Sequence, residues 1–508
     1  MLRSRPLELR PRVFLSFHRR LPILLALLPI MAACTAPPSG RELDRLRPCP
    51  SEEGPTDALC GTLTVFENRE TRAGRHIDLW IVVLPSLASV PLDDPLVFLA
   101  GGPGQGAAQL ANQVRDAFRR VQRTRDIVLV DQRGTGQSNP LNCRSKSTSL
   151  RELTLGADTA LARLRRCLEG YDADVRLYTT DIAMDDLDEV RAFLGYERVN
   201  LYGGSYGTRA ALGYLRKHPE HVRSIVLDGV APTDMRLPLF TARDAQRALD
   251  ALLVDCDADQ ACQRAFPGLA SRIRALIASL EQRSRRVQIV HPRTGIPEEV
   301  DVNARLVASV LFSALYSPLT ASIVPALIDR AEQNDFRGLF ALALAGEDTG
   351  ENMSIGMQLS VLCSEDSSRV TLGDLSRETA STVFGSHLVG SQLDACAMWP
   401  KGTVDPAYYN PVVSDVPALV LSGEIDPVTP PGWGEAVVKH LRRGRHITVP
   451  ATGHGVISTS CGIRLVADFI DAASTDDLNT DCVASIQRPP FFVTPAGPDP
   501  APGDRAAP

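Results

Sequence analysis

Apolar residues in this chain fall into two kinds of run, and the two kinds occupy different stretches. Short, predominantly apolar runs at residues 95–100, 127–130, 199–202, 222–228, 417–422 and 446–450 each lie near glycine, proline or acidic turn residues. Runs of that length and composition read as buried strands. Residues 208–217, directly behind the run at 199–202, carry apolar positions at helical spacing and end before His218-Pro219. Strands separated by helical stretches predict an α/β fold, a mostly parallel sheet flanked by helices. Between residue 228 and residue 417 strand signals nearly vanish, and 242–254, 269–285, 304–315 and 323–345 have helical periodicity instead. The pattern thus predicts a core in two parts, 46–234 and 406–484, with a helical cap over 235–405. Inserted there, the cap covers the strand ends behind 199–202.

The termini read differently. Arginines up to Arg19-Arg20 precede the apolar stretch 21–30 and then Met31-Ala32-Ala33-Cys34. A basic region, a short apolar run and small residues make an export signal over 1–33, and the run falls short of the about 20 residues a membrane span needs. Small residues ending at a cysteine favour a lipid-anchored product with Cys34 as the modified residue; a plain signal peptide is the other reading. Residues 34–45 read as a linker and 485–508 as a tail rich in proline and alanine.

Compartment follows from the cysteines. Eleven are present, so a lipidated Cys34 leaves an even ten. An exported protein forms disulfides, and short closures form most readily. Neighbours therefore pair: Cys49 with Cys60, Cys143 with Cys167, Cys256 with Cys262, Cys363 with Cys396, and Cys461 with Cys482. Other connectivities fit the sequence too. A net charge of −6 with both signs mixed gives no case for nucleic acid. The nine histidines show no metal-ligand spacing, so neither a metal nor a cofactor is expected.

The candidate chemistry starts at Gly203-Gly204-Ser205-Tyr206-Gly207, where strand turns to helix. A serine on so tight a turn needs neighbours without side chains, and its hydroxyl then projects into a cleft. That hydroxyl is a poor nucleophile unless a histidine takes its proton and a carboxylate orients the histidine. Asp426, in the loop behind 417–422, and His454, in the loop behind 446–450, stand in the required order and context. Acyl transfer also needs N–H donors for an oxyanion; Tyr206 and Gly102, in the loop Gly101-Gly102-Pro103-Gly104, fill that role.

Those motifs, with Asp131-Gln132-Arg133-Gly134 after the strand at 127–130, resemble the proline iminopeptidase and tripeptidyl aminopeptidase family of α/β-hydrolases. The likeness spans about residues 60–480, and the family's usual histidine before the glycine loop is Ala100 here. The segment around Asp426 and His454 is similar to the C-terminal region of the secreted tripeptidyl branch. The resemblance implies Ser205 as nucleophile, Asp426 as acid and His454 as base, with Asp131 and Arg133 building loops. It implies an exported, cofactor-independent serine peptidase that removes amino acids or short peptides from free N-termini. A carboxylesterase or lipase on the same scaffold is the alternative. An aminopeptidase must recognise a protonated amine, and Glu365 and Asp366, beside Cys363 in the cap, are the candidate carboxylates for it.

Overall fold

The computed structural model describes residues 41–50, 54–143, 149–154, 156–350, 353–494 and 497–498. The predicted signal and Cys34 lie outside the described residues. Among those described, no helix is long and apolar enough to cross a membrane.

Nine strands form one sheet: β1 (Arg47–Pro48), β2 (Leu59–Phe66), β3 (His76–Leu84), β4 (Leu92–Leu99), β5 (Arg125–Val130), β6 (Val199–Gly204), β7 (Val222–Asp228), β10 (Ala418–Gly423) and β11 (Gly444–Val449). Their spatial order is β1-β2-β3-β5-β4-β6-β7-β10-β11. From β5 to β11 every pairing is parallel, while β1, β2 and β3 continue the sheet antiparallel. Every residue of β5 and β10 is buried, as expected for strands covered on both faces. The chain is thus an α/β-hydrolase in fold, a mostly parallel sheet flanked by helices.

This order decides where a site can form. From β4 the chain first adds β5 on one side and then returns to add β6 on the other. The loops leaving β4 and β6 therefore diverge from neighbouring strands, with Leu99 paired to Gly203. A crevice opens at such a reversal, at the carboxyl ends of the strands.

The insertion departs from the sequence expectation in three respects. A hairpin, β8 (Arg285–Val290) and β9 (Pro297–Val302), lies where only helices are predicted. The predicted helix 269–285 stops at Gln282, and the backbone of Arg283 is already extended. The predicted helix 323–345 is two, Val324–Glu332 and Arg337–Gly350, parted at Asn334, whose φ of 62° no continuous helix accommodates.

Packing also divides the insertion. Its helices from Thr241 onward build a core of their own around Leu249, Leu276, Leu311 and Phe340. The helix Ile355–Glu365 instead enters the main core through Met357, Leu359 and Val361. Apolar residues circle that helix, so it has no face to give to solvent. The beginning of the predicted tail is docked as well: Phe491 is buried in the core of the insertion and the Phe492 N–H donates to the Ser322 carbonyl.

Candidate active site

β6 ends in the glycines that the turn requires. A Cβ on Gly203 would run into the Gly207 carbonyl, and one on Gly207 into the Leu99 carbonyl. Ser205 sits between them at φ 56°, ψ −125°, capping the helix Tyr206–Lys217. A non-glycine residue there carries about 1–3 kcal/mol of strain, which persists only where the surroundings over-determine it. They do so here. The Ser205 N–H donates to the Asp228 carbonyl at 2.9 Å, and Thr208 Oγ1 donates to the Ser205 carbonyl at 2.6 Å. Gly101, in the loop behind β4, lies so close that an added Cβ would stand 3.2 Å from Ser205 Cβ.

His454 Nδ1 bonds Asp426 Oδ2 at 2.8 Å. Asp426 is fully buried and takes three further hydrogen bonds, from the N–H groups of Val428 and Thr429 and from Thr429 Oγ1. Burial works to raise the Asp426 pKa; the charge and hydrogen bond of His454, with those N–H groups, outweigh it and hold it below the ordinary value. For His454, burial works downward, and the Asp426 carboxylate prevails and holds the ring above the ordinary histidine range. The result is an imidazole with a fixed orientation and raised proton affinity.

Three supports around this pair escaped sequence reasoning. Thr429 bonds Asp426 and stands 3.2 Å from His454 Nδ1. Asp228, at the end of β7, accepts from Tyr202 Oη and from the N–H groups of Val456 and Ile457, joining the elbow strand to the histidine loop. An acid closing the apolar run of β7 was the available signal. Tyr316, from the insertion, takes the His454 N–H on its carbonyl at 2.9 Å and sets its ring edge-on to the imidazole at 5.1 Å.

The oxyanion candidates sit on the two diverging loops, Tyr206 at the first helical residue and Gly102 at φ 111°. Met353 from the insertion lies over the glycine loop, where Ser354 N–H donates to the Gly104 carbonyl at 2.8 Å. Asp131 is buried and accepts from the N–H groups of Ala108 and Gln137, and Arg133 is buried against Asp186. Both thus hold loops. The structure bonds Cys49 to Cys60, Cys143 to Cys167, Cys256 to Cys262, Cys363 to Cys396 and Cys461 to Cys482.

Glu365 and Asp366 require a correction. Both are fully buried and already occupied. Glu365 Oε1 accepts from Thr180 N–H at 2.7 Å, and Oε2 accepts from Thr180 Oγ1 and Tyr408 Oη. Asp366 pairs with Arg209 and Arg369, each at 2.7 Å. The free volume beside Glu365 is about 10 Å³, which holds no more than a water molecule. A substrate ammonium has no way in. Burial pushes Glu365 up to about 7 although Arg209 works against the shift, and it raises Asp366 as well. Sequence reasoning failed here because a glutamate beside an aspartate at a helix end reads as a polar surface.

Among the described residues, Asp188, His218 and His221 form a cluster with ligand atoms within 4.8 Å. Arg191 already pairs with that aspartate at 2.7 Å and reaches within 3.4 Å of His221 Nε2. A metal ion there would meet a fixed positive charge.

Comparison with known proteins agrees with this fold. Residues 94–291 match the family model described as alpha/beta hydrolase fold, and residues 381–482 match that of TAP-like protein. The chain is 27% identical over 473 residues to serine protease Hip1 of Mycobacterium tuberculosis, covering 85% of this chain and 89% of that one. It is 31% identical over 138 residues to a proline iminopeptidase of Neisseria gonorrhoeae, covering 27% and 32% of the two chains. With a tripeptidyl aminopeptidase of Streptomyces lividans it shares 28% identity over 192 residues, covering 35% and 36%.

Proposed function

Because the chain belongs to the α/β-hydrolases, with a TAP-like C-terminal segment and serine peptidases among its relatives, we propose that it is a serine exopeptidase acting on free peptide N-termini. The observation that carries the reading is the buried His454–Asp426 pair at 2.8 Å, two loops away from a serine held in strained elbow geometry. Ser205 Oγ attacks the scissile carbonyl carbon while its proton passes to His454 Nε2. Asp426 stabilises the imidazolium, and the N–H groups of Tyr206 and Gly102 take the tetrahedral oxyanion. Collapse breaks the C–N bond, and His454 returns the proton to the leaving amine. Water, deprotonated by His454, then releases the acyl group and restores Ser205.

The relatives named iminopeptidase and aminopeptidase favour removal from the N-terminus over internal cleavage. A panel of chromogenic aminoacyl, tripeptidyl, N-acetylated peptidyl and simple ester substrates tests this. N-acetylation should lower kcat/KM about 100-fold, because it removes the ammonium whose charge-assisted contacts a peptidase of free N-termini would use. Cleavage of blocked peptides or esters as readily as of free-amine peptides would end the aminopeptidase reading and put an esterase or endopeptidase in its place.

Export belongs to the same proposal, supported by the five cysteine pairs and by the signal-like 1–33. The mature protein is expected to begin at a lipidated Cys34, to partition into detergent, and to yield those five pairs on non-reducing peptide mapping. A detergent-indifferent protein with a different N-terminus would establish the plain signal peptide. Free thiols among the ten cysteines would count against an oxidising compartment.

A further inference from the structure

The carboxylates that cannot meet substrate grip the elbow helix from behind. Asp366 holds Arg209 at 2.7 Å, one turn beyond Ser205. Arg209 also donates to the carbonyls of Pro232 and Met235 behind β7. Glu365 reaches the residue next to the serine: its Oε2 is 3.0 Å from Thr180 Oγ1, which is 2.8 Å from Tyr206 Oη. All of these side chains are buried, and the Cys363–Cys396 disulfide lies two residues from Glu365.

The polarity of this chain follows from elementary donor and acceptor rules. An ionised carboxylate only accepts. Thr180 Oγ1 therefore donates its hydrogen to Glu365, which leaves its lone pairs for the phenol of Tyr206, and Tyr206 is the donor. Tyr408 Oη donates to the same Oε2 at 2.7 Å, and the Thr180 N–H fixes Oε1. Arg209 stands 3.7 Å from Oε2 and neutralises the carboxylate without displacing any of these bonds. The charged groups acting on Glu365 are Arg209 and Asp366, and Asp181 lines the same small cavity.

We propose that Glu365 is a positioning residue, which through Thr180 and the Tyr206 phenol fixes the Tyr206 backbone N–H that receives the oxyanion. The inference rests on the nucleophile and oxyanion roles given above to Ser205 and Tyr206. Its physical basis is the placement of the anchor. Tyr206 is the first residue of its helix and follows a strained serine, so the peptide plane set by the Ser205 ψ and the Tyr206 φ decides where the donor points. A ring pinned at its far end by a hydrogen-bonded chain removes the rotation that would tilt the N–H away. Oxyanion stabilisation depends steeply on donor geometry, and a misplacement of about 1 Å costs on the order of 100-fold.

The test uses the whole protein at pH 8, above the value of about 7 to which burial pushes Glu365, with a free-amine peptide and a matched ester. Tyr206→Phe keeps the backbone donor and the ring but ends the chain of hydrogen bonds. Thr180→Val removes the link in the middle. Glu365→Gln places an amide N–H₂ where an acceptor is needed. Each should lower kcat about tenfold on both substrates, with KM within about twofold, and should weaken a tetrahedral-adduct-forming peptide aldehyde in proportion while leaving product inhibition unchanged. Because the three act in one chain, Tyr206→Phe combined with Glu365→Gln should be no slower than the worse single variant.

Wild-type kcat in Tyr206→Phe, or losses that multiply in the double variant, would overturn the proposal, and the Tyr206→Phe result decides even where Glu365→Gln does not fold. A rise in KM confined to free-amine substrates would overturn it too and return Glu365 to amine recognition. The underlying reading fails by another route, when a serine-directed fluorophosphonate leaves wild-type Ser205 unlabelled.

Discussion

Ser205→Ala should leave a folded protein with almost no turnover, kcat falling on the order of 10⁶-fold. The substitution removes the attacking oxygen and nothing else of size. Alanine and serine both carry a Cβ, so the strain at φ 56° is the same in either. The backbone bonds from Ser205 N–H to the Asp228 carbonyl and from Thr208 Oγ1 to the Ser205 carbonyl do not involve the lost hydroxyl. The melting temperature should therefore move by less than about 1 °C, since about 1 kcal/mol corresponds to roughly that shift in a chain of this size. Single-turnover kinetics on each substrate class, with circular dichroism on the same sample, checks both halves. His454→Ala should lose nearly as much, and the double variant no more, because in the proposed mechanism nucleophile and base work as one unit. Purified Ser205→Ala with near wild-type activity would end the serine-hydrolase assignment of this site.

The second large effect is that of Asp426→Asn, where a drop of about 10⁴-fold in kcat is expected. Asp426 accepts four hydrogen bonds and donates none. An amide there must turn its N–H₂ toward either the two backbone N–H groups or the histidine. The first choice sets donor against donor. The second forces His454 into the tautomer that presents a proton to Ser205 in place of a lone pair. The variant also carries a pH signature. Asp426 holds the imidazole above the ordinary histidine range against the opposing effect of burial. Without the carboxylate the ring loses its proton more readily. The free base then persists to lower pH, so the acid limb of kcat/KM should move downward. An acid limb unmoved in Asp426→Asn would mean that another carboxylate orients the base.

Much of this site was legible because each member is announced by its own neighbours in the chain. Ser205, Asp426 and His454 each follow a short apolar strand and stand among turn residues, and a buried parallel strand imposes that local pattern wherever it lies in the sheet. Order along the chain supplied the rest. Glu365 obeys no such local rule. Its partners are 185 positions earlier and 43 later, so only the folded chain says what the carboxylate faces. The hairpin β8–β9 hid for a different reason. Its strands break strict alternation, with Arg285-Arg286, Ile289-Val290 and Glu298-Glu299 as adjacent like residues, and they follow directly on a helix whose periodicity runs into the first strand. Thr429 and Asp228 lay in plain view, yet a threonine or an aspartate at a strand end is common enough to pass as turn chemistry until distances single it out.

The insertion has a bearing on how such enzymes can be re-engineered. The backbone N–H of His454 is held by the Tyr316 carbonyl, and the glycine loop by Ser354, both supplied from between the two halves of the core. A chimera that exchanges this insertion for a relative's, with the aim of transplanting substrate preference, also exchanges the fastenings of the machinery beneath. Grafts cut outside residues 316 and 354 would trade turnover for selectivity in a single step. Libraries that vary only the exposed cap surface, and keep those two carbonyl and amide contacts constant, leave the chemistry untouched while the preference drifts.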